Sequence, residues 1–146
     1  MKNNDVGQRV QSFRALHKSG CFIIPNPWDI GTAKFLESRG FKALATTSAG
    51  FAFSKGLQDS VSAISRDMMI AHIEEICTAT SLPVNADFQN GYAKEPDEVA
   101  ENVKLCIDTG VSGLSIEDAT GDKSNPLYER GLAIDRIRAA RQAIDS

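Results

Sequence analysis

The chain has 146 residues, of which 42% are hydrophobic and 24% are charged, and its formal net charge at pH 7 is -3. This composition is typical of a soluble chain of one-domain length. It argues against a nucleic-acid-binding surface, because no cluster of Lys and Arg stands out, and against a membrane partner, because no apolar stretch approaches the roughly 20 residues that span a bilayer.

The start of the sequence and its cysteines indicate a cellular compartment. The first five residues lack the apolar stretch of a signal peptide. Cys21, Cys77 and Cys106 are odd in number, widely spaced and surrounded by apolar residues. This pattern favours buried free thiols over a disulfide or a zinc site, so we expect a cytoplasmic protein.

Apolar runs and helical stripes alternate along the chain. Asp5 and Gln8 resemble a capping box at the start of a first helix. Four strands are then predicted, at 21–24, 43–46, 83–87 and 111–116. Each strand is followed by a predicted helix: at about 30–38, after a Ser65 cap, after Pro96, and along a stripe of Ile134, Ile137, Ala140 and Ile144. A long loop is predicted from Gly50 to Ser62.

This alternation predicts an α/β fold with a parallel sheet and right-handed crossovers. Four βα units make either a small open sheet or half of an eight-stranded TIM barrel, which typically needs about 250 residues. The barrel is favoured, because all four strand ends carry polar groups, whereas an open sheet concentrates its site at one switch point. In a half barrel, the inward side chains, predicted as Ile23, Leu44, Val84 and Leu114, would lack an opposing half, so self-association is expected.

Acidic residues follow two consecutive predicted strands. Asp87 ends the third strand and Glu117 the fourth, so both are expected at one open face of the sheet. With Asp59 from the loop after the second strand, they offer the oxygen ligands that Mg²⁺ prefers. Asn85, on the same side of its strand as Asp87, would orient a water or a substrate oxygen. The alternative is that each acid caps a helix or contacts solvent.

The polar turn after the second strand offers hydroxyl and backbone N–H donors. Thr47 and Ser48 are expected to hold a substrate carboxylate or oxyanion, although an ordinary hydrogen-bonded turn explains the same residues. Trp28 and Asp29 fit a packed aromatic and a helix cap. His17 and His72 lie inside predicted helices and are interpreted as structural or solvated. No glycine-rich nucleotide-binding motif occurs.

Five short motifs occur in a fixed order along the chain. They are Pro25-Asn26-Pro27-Trp28-Asp29, Thr47-Ser48-Ala49-Gly50, Gly56-Leu57-Gln58-Asp59, Val84-Asn85-Ala86-Asp87 with Gly91-Tyr92, and Ser115-Ile116-Glu117-Asp118. Together they resemble the motifs of the isocitrate lyase and phosphoenolpyruvate mutase superfamily. The resemblance implies a (β/α)8 barrel that binds magnesium, or manganese in its place, at its open end. Its substrate would be a small 2-oxo acid or the enolate of one.

The resemblance also assigns roles to individual residues. It implies metal-shell positions for Asp59, Asp87 and Glu117, and substrate-binding positions for Trp28, Thr47, Ser48 and Asn85. After Glu117-Asp118 the Lys-Arg-Cys-Gly-His loop of the isocitrate and methylisocitrate lyases is absent, which argues against those two activities. Instead, Lys123 and Asn125 resemble the catalytic Lys-x-Asn of the phosphonate-handling members, although a solvated turn explains them equally.

Two further departures affect the expected function. Asn85 stands where many members have Asp, which should weaken magnesium binding. Complete members also carry four more βα units, so residues 1–146 resemble the N-terminal half of such a barrel, expected as one domain. We therefore expect a magnesium-dependent lyase or mutase that cleaves a C–C or P–C bond beside the carbonyl and works as a homo-oligomer. The alternative is a truncated, non-catalytic half barrel that serves as a binding or assembly subunit.

Overall fold

The computed structural model of the chain describes residues 2–146, and their side chains from residue 5 onward. The helices are α1 (Lys2–Leu16), α2 (Ile30–Ser38), α3 (Ser48–Ser54), α4 (Arg66–Ala79), α5 (Pro96–Asp108) and α6 (Arg130–Asp145). The strands are β1 (Leu44–Ala45), β2 (Val84–Asp87) and β3 (Gly113–Ser115). In this described part of the chain, no helix has both the length and the apolarity needed to cross a membrane.

The three strands form one parallel sheet in the order β1-β2-β3. Helices α3 and α4 connect β1 to β2, and α5 connects β2 to β3, as expected for parallel strands, which cannot be joined by a tight hairpin. In the register of the sheet, Ala45 lies beside Asn85, Asn85 beside Gly113, and Asp87 beside Ser115. The predicted parallel α/β fold is therefore confirmed.

The two faces of the sheet differ in polarity. Leu44, Val84 and Ala86 are buried on the face that packs against the helices, in a cluster with side chains of α2 and α4. Asn85 and Asp87 alternate with them along β2, so they lie on the opposite, half-buried face. The prediction that Leu44 and Val84 point inward was wrong, because a shift of one residue exchanges the two faces of a strand. Leu114, paired with Ala86, also belongs to the helix side.

The first predicted strand, 21–24, is not a strand in the structure. The segment runs alongside β1, where the N–H of Ala45 donates to the carbonyl oxygen of Pro25 at 3.1 Å. Pro25 and Pro27 have no N–H, so they cannot donate to a ladder there. Ile23 is 70% exposed, and Cys21 is exposed rather than buried, whereas Cys77 and Cys106 are buried free thiols.

The helices follow the sequence pattern in part. Helix α2 has its predicted bounds, and Ser65 caps α4 by accepting from the N–H of Met68. The predicted loop 50–62 was wrong at its start, because Thr47 caps the short helix α3 there. The capping box was also wrong, since α1 begins at Lys2 and places Asp5 inside the helix.

Helix α6 buries only one member of its predicted stripe, Ala140, and the three isoleucines of that stripe are exposed. Ile134 is 46% and Ile137 51% exposed, while Ala140 and Ala143 are buried against α5. Small side chains at this contact allow the two helices to approach closely. Arg136, only 1% exposed, extends from α6 to the loop after β2 and donates to the carbonyl oxygens of three of its residues: Asn90, Ala93 and Lys94.

Candidate active site

Asp87 is held at the end of β2 by the first residue of helix α3. The backbone N–H and the hydroxyl of Ser48 both donate to Oδ2 of Asp87, at 2.7 and 2.8 Å. The N–H of Asp87 donates in turn to Oγ1 of Thr46, at 2.9 Å. Three hydrogen bonds between adjacent strand ends therefore fix the position of this carboxylate.

Glu117 is joined to Asp87 through the backbone of Gln89. The N–H of Glu117 donates to the carbonyl oxygen of Gln89 at 2.7 Å, and the N–H of Gln89 donates to Oδ1 of Asp87 at 3.3 Å. The pKa of the Glu117 carboxyl is raised above its usual value, first by partial burial and then by the negative charges of Asp87, Asp59 and Asp118. The negative charges of Asp87 and Asp59, the other two residues predicted as metal ligands, therefore act on Glu117.

Asn85 lies on the same sheet face as Asp87, and a close neighbour constrains it. A Cβ atom added at Gly113 would lie 2.9 Å from Oδ1 of Asn85 and 2.8 Å from Cε1 of Phe13. Only glycine therefore fits between Asn85 and the buried Phe13 of α1. Among the residues with described side chains, the amide of Asn85 donates only to the carbonyl oxygen of Ala86, at 3.4 Å. Its predicted role toward substrate stays a prediction.

The other predicted substrate-binding residues lie around helix α3. Oγ1 of Thr47 accepts from the N–H of Gly50 at 3.1 Å, which leaves its hydroxyl hydrogen free to donate. Ser48, in contrast, uses both donors on Asp87 in this arrangement. Trp28 is 47% exposed and, with Gly50, Phe53 and Ser54, lines a cavity of about 310 Å³.

Lys123 and Asn125 lie on a hairpin-like loop that follows Glu117 in the chain. Ala119 pairs with Leu127 in an antiparallel bridge, and the N–H of Tyr128 donates to the carbonyl oxygen of Asp118 at 2.9 Å. Lys123 is exposed, and the side-chain amide of Asn125 donates to Asp122 at 3.4 Å. The catalytic roles predicted for both residues stay predictions.

A groove of about 870 Å³ lies between the segment that follows β3, which includes Glu117, and helix α6. Its walls are mostly apolar and include Ile116, Leu127, Ile134 and Ile137. This explains the exposure of Ile134 and Ile137 on α6, because both face the groove instead of the core. Strand β3 pairs with β2 on one side, and its other edge meets no strand within residues 2–146.

The acidic side chains of the site suit a cation that keeps bound waters better than one held entirely by protein ligands. Within residues 2–146, no three His, Cys, Asp or Glu side chains are placed so that they could hold a metal together. The predicted trio of Asp59, Asp87 and Glu117 therefore does not meet as one set of direct ligands here. Mg²⁺ commonly uses one or two carboxylates and keeps several waters, so Asp87 and Glu117 fit that mode of binding.

The sequence reasoning missed two residues of this site. Thr46 was predicted as the last residue of the strand at 43–46, yet it is 2% exposed and its hydroxyl oxygen accepts from the backbone N–H of Asp87. Gln89 was not singled out, although it links Asp87 and Glu117. Its position two residues after a strand-end acid and two before Gly91 was the available signal.

Comparison with known proteins agrees with this geometry. The family model described as phosphoenolpyruvate phosphomutase matches residues 13–146. The 2-methylisocitrate lyase of Escherichia coli K12 is 31% identical over 142 residues, which cover 91% of this chain and 47% of that enzyme. The chain spans about half the length of the curated relatives it matches.

Solved structures give the same result. The crystal structure of a candidate lyase/mutase from Burkholderia cenocepacia J2315 is 48% identical, with a TM-score of 0.94, and the match covers 99% of this chain and 51% of that one. A phosphonopyruvate hydrolase crystallised with oxalate and Mg²⁺ is 23% identical, with a TM-score of 0.86 over 92% of this chain and 48% of that one. This second likeness shows a shared fold.

Proposed function

Because this chain belongs to the phosphoenolpyruvate phosphomutase family, we propose that its carboxylate site supports magnesium-dependent chemistry on a small 2-oxo acid. The reaction is cleavage or transfer at the C–C or P–C bond beside the carbonyl. The observation that carries the proposal is the hydrogen-bonded link that runs from the carboxylate of Asp87 through the backbone of Gln89 to the backbone of Glu117. The negative charge of Asp87 is also one of the causes that raise the pKa of Glu117, after burial. Two carboxylates held in this way attract a divalent cation.

Asp87 and Glu117 would hold the cation, and Asp59 would add negative charge near it. A bound magnesium ion supplies Lewis-acid polarisation of a carbonyl oxygen. Ser48 keeps the carboxylate of Asp87 turned toward the site through its two hydrogen bonds. Manganese fits the same oxygen donors and serves as a spectroscopic substitute.

The substrate would be positioned by groups around α3 and by the hairpin after β3. The hydroxyl of Thr47 is free to donate to a substrate carboxylate, and the Trp28 cavity would take a small apolar substituent. Lys123 would neutralise a departing carboxylate or phosphoryl group when its loop closes. Closure would also exclude water from the reacting carbons.

The chain is proposed to be the N-terminal half of a barrel, forming one domain that works as a homo-oligomer. The free edge of β3 and the apolar groove beside α6 support association, because unpaired edges and exposed apolar surface favour contact with another chain. Three free cysteines support the cytoplasmic location.

Binding of oxalate, a small dicarboxylate that resembles a 2-oxo acid, tests the proposal. Titration calorimetry should show oxalate binding to the chain with Mg²⁺ present and much weaker binding without it. Asp87→Asn should remove the magnesium dependence, whereas Asp97→Asn, an exposed acid on α5, should not. Oxalate binding that is absent, or equal with and without Mg²⁺, would refute the metal-dependent site.

A turnover screen separates the enzyme from the assembly subunit. Oxaloacetate, phosphonopyruvate and 2-methylisocitrate would be offered with Mg²⁺ to each oligomeric fraction of the chain. The apolar groove beside Glu117 is the observation that favours a subunit needing a partner half. We therefore expect no turnover from a monomer. Turnover in a larger fraction supports the enzyme, and oxalate binding without turnover in any fraction supports the binding subunit.

A further inference from the structure

Gln89 has a backbone conformation that its side chain disfavours. Its φ angle is +44°, in the left-handed region that non-glycine residues rarely adopt. The residue is 4% exposed and follows Asp87 by two positions. Strained backbone of this kind persists where the surrounding structure enforces it, and it concentrates at functional sites.

The left-handed turn changes how β2 and β3 pair beyond their last registered residues. Asp87 lies beside Ser115, so a regular parallel ladder would next join the N–H of Glu117 to the carbonyl oxygen of Phe88. Instead the N–H of Glu117 donates to the carbonyl oxygen of Gln89, and the carbonyl oxygen of Phe88 accepts from the N–H of Gly91. One extra residue is therefore inserted on the β2 side, as in a β-bulge.

This insertion connects the two acidic residues through one peptide unit on each side of Gln89. Its N–H donates to the carboxylate of Asp87, and its carbonyl oxygen accepts from the backbone of Glu117. The conformation of Gln89 therefore sets the distance between the Asp87 carboxylate and the Glu117 backbone. The strain and the connection occur at the same residue.

We propose that Gln89 is a positioning residue that spaces Asp87 and Glu117 for a shared divalent cation, acting through its left-handed backbone. The inference rests on the proposed function for the cation, but the link between the two acids is a property of the chain itself. The role belongs to the backbone, because both of its bonds are made by main-chain atoms. Any residue that adopts the left-handed conformation should therefore preserve the spacing.

Three variants of the full chain separate backbone from side chain. Gln89→Gly removes the side chain and adopts positive φ freely. Gln89→Val places a β-branched residue where positive φ is strongly disfavoured. Gly40→Val is the matched control, because Gly40 has φ +85° with open space around it and precedes β1, at the opposite end of the sheet from Asp87.

Two readouts apply to each variant: Mn²⁺ affinity by electron paramagnetic resonance, and hydrogen exchange of the Glu117 amide. Gln89→Val should weaken Mn²⁺ binding by about tenfold or more, the usual effect of losing a group that orients a metal ligand. It should also lose protection of the Glu117 amide while the Phe88 amide, bonded to Ser115, stays protected. Gln89→Gly and Gly40→Val should match the unmodified chain in both measurements.

Unchanged Mn²⁺ affinity or unchanged Glu117 protection in Gln89→Val would overturn the proposal. Equal losses in Gln89→Gly and Gln89→Val would overturn it in favour of a side-chain role. If the unmodified chain binds no Mn²⁺, the proposed function fails separately. The positioning role is then decided by the exchange of the Glu117 amide alone.

Discussion

Ser48 donates both its backbone N–H and its hydroxyl to one carboxylate oxygen of Asp87, at 2.7 and 2.8 Å. The contact joins the first residue of α3, after β1, to the last residue of β2. Charged hydrogen bonds of this kind hold a side chain more firmly than neutral ones. Asp87 is therefore already oriented before any ligand arrives.

Ser48→Ala should loosen this orientation without unfolding the chain. The backbone N–H remains, so one of the two bonds persists, and we expect Mn²⁺ affinity to fall by about tenfold. Ser54→Ala is the control, because the hydroxyl of Ser54 donates to the carbonyl oxygen of Phe51 on the same helix. An equal loss of affinity in both variants would show that damage to α3, rather than release of Asp87, is responsible.

Asp87→Asn should lower the pKa of the Glu117 carboxyl toward its usual value. Partial burial raises this pKa most and would remain, but the contribution of the Asp87 charge would disappear.

The raised pKa of Glu117 also makes the stability of the fold depend on pH. A raised pKa means that the folded state binds more protons than the unfolded one, so stability falls as the pH rises through that interval. This fall should shrink in Asp87→Asn. NMR titration of the Glu117 carboxyl measures its pKa in the unmodified chain and in Asp87→Asn. An unaltered pKa would place the two acids too far apart to interact.

His72 should make the chain sensitive to mild acid. It is 3% exposed and stacks on Phe51 at 3.8 Å, and burial lowers its pKa from 6.5 to about 4. The unfolded state binds more protons between these values, so stability should rise with pH across that window, by roughly 3 kcal/mol in total. Denaturation at several pH values measures it.

His72→Phe keeps a ring on Phe51 and removes Nε2, which has no partner among the described residues. This variant should lose the rise in stability with pH between about 4 and 6.5, while His17→Phe should retain that rise because His72 is intact. If His72→Phe shows the same dependence as the unmodified chain, other groups cause it.

Lys123→Ala should reduce turnover of the complete enzyme far more than its metal affinity. Lys123 is exposed on the hairpin-like loop, and in the proposed function it meets the substrate when the loop closes. Lys104→Ala, an exposed lysine on α5, is the control for loss of positive charge. Kinetic constants equal to those of the unmodified enzyme would return Lys123 to the role of a solvated surface residue.

The sequence was sufficient to predict the elements with strong local signals. Ile30–Ser38 and the Ser65 cap are encoded by spacing and capping chemistry, and the strand-end acids by their place after apolar runs. The absence of the first predicted strand, 21–24, was not predictable in this way. Its apolar run is typical of a strand, and only the prolines that follow it limit pairing with a neighbouring strand. Arg136 is a residue whose burial could not be predicted from its sequence neighbours. Its burial depends on carbonyl groups more than 40 residues away, which no local pattern reveals.

The faces of the strands show why register must be observed. Leu44 and Val84 belong to apolar runs that suit either side of a sheet buried on both faces. Only the packing of α2 and α4 decides that they face the helices, leaving Asn85 and Asp87 for the open side. Asn85 and Asp87 therefore lie on the open face of the sheet, opposite the helices.

Anomalous diffraction from crystals soaked in Mn²⁺ tests the central claim most directly. We expect one peak between Asp87 and Glu117, within about 4 Å of both carboxylates, the reach of direct or water-bridged coordination. Asp87→Asn crystals should lose the peak. A manganese ion bound elsewhere, or carboxylates that point to opposite faces of the sheet at saturating Mn²⁺, would contradict the account.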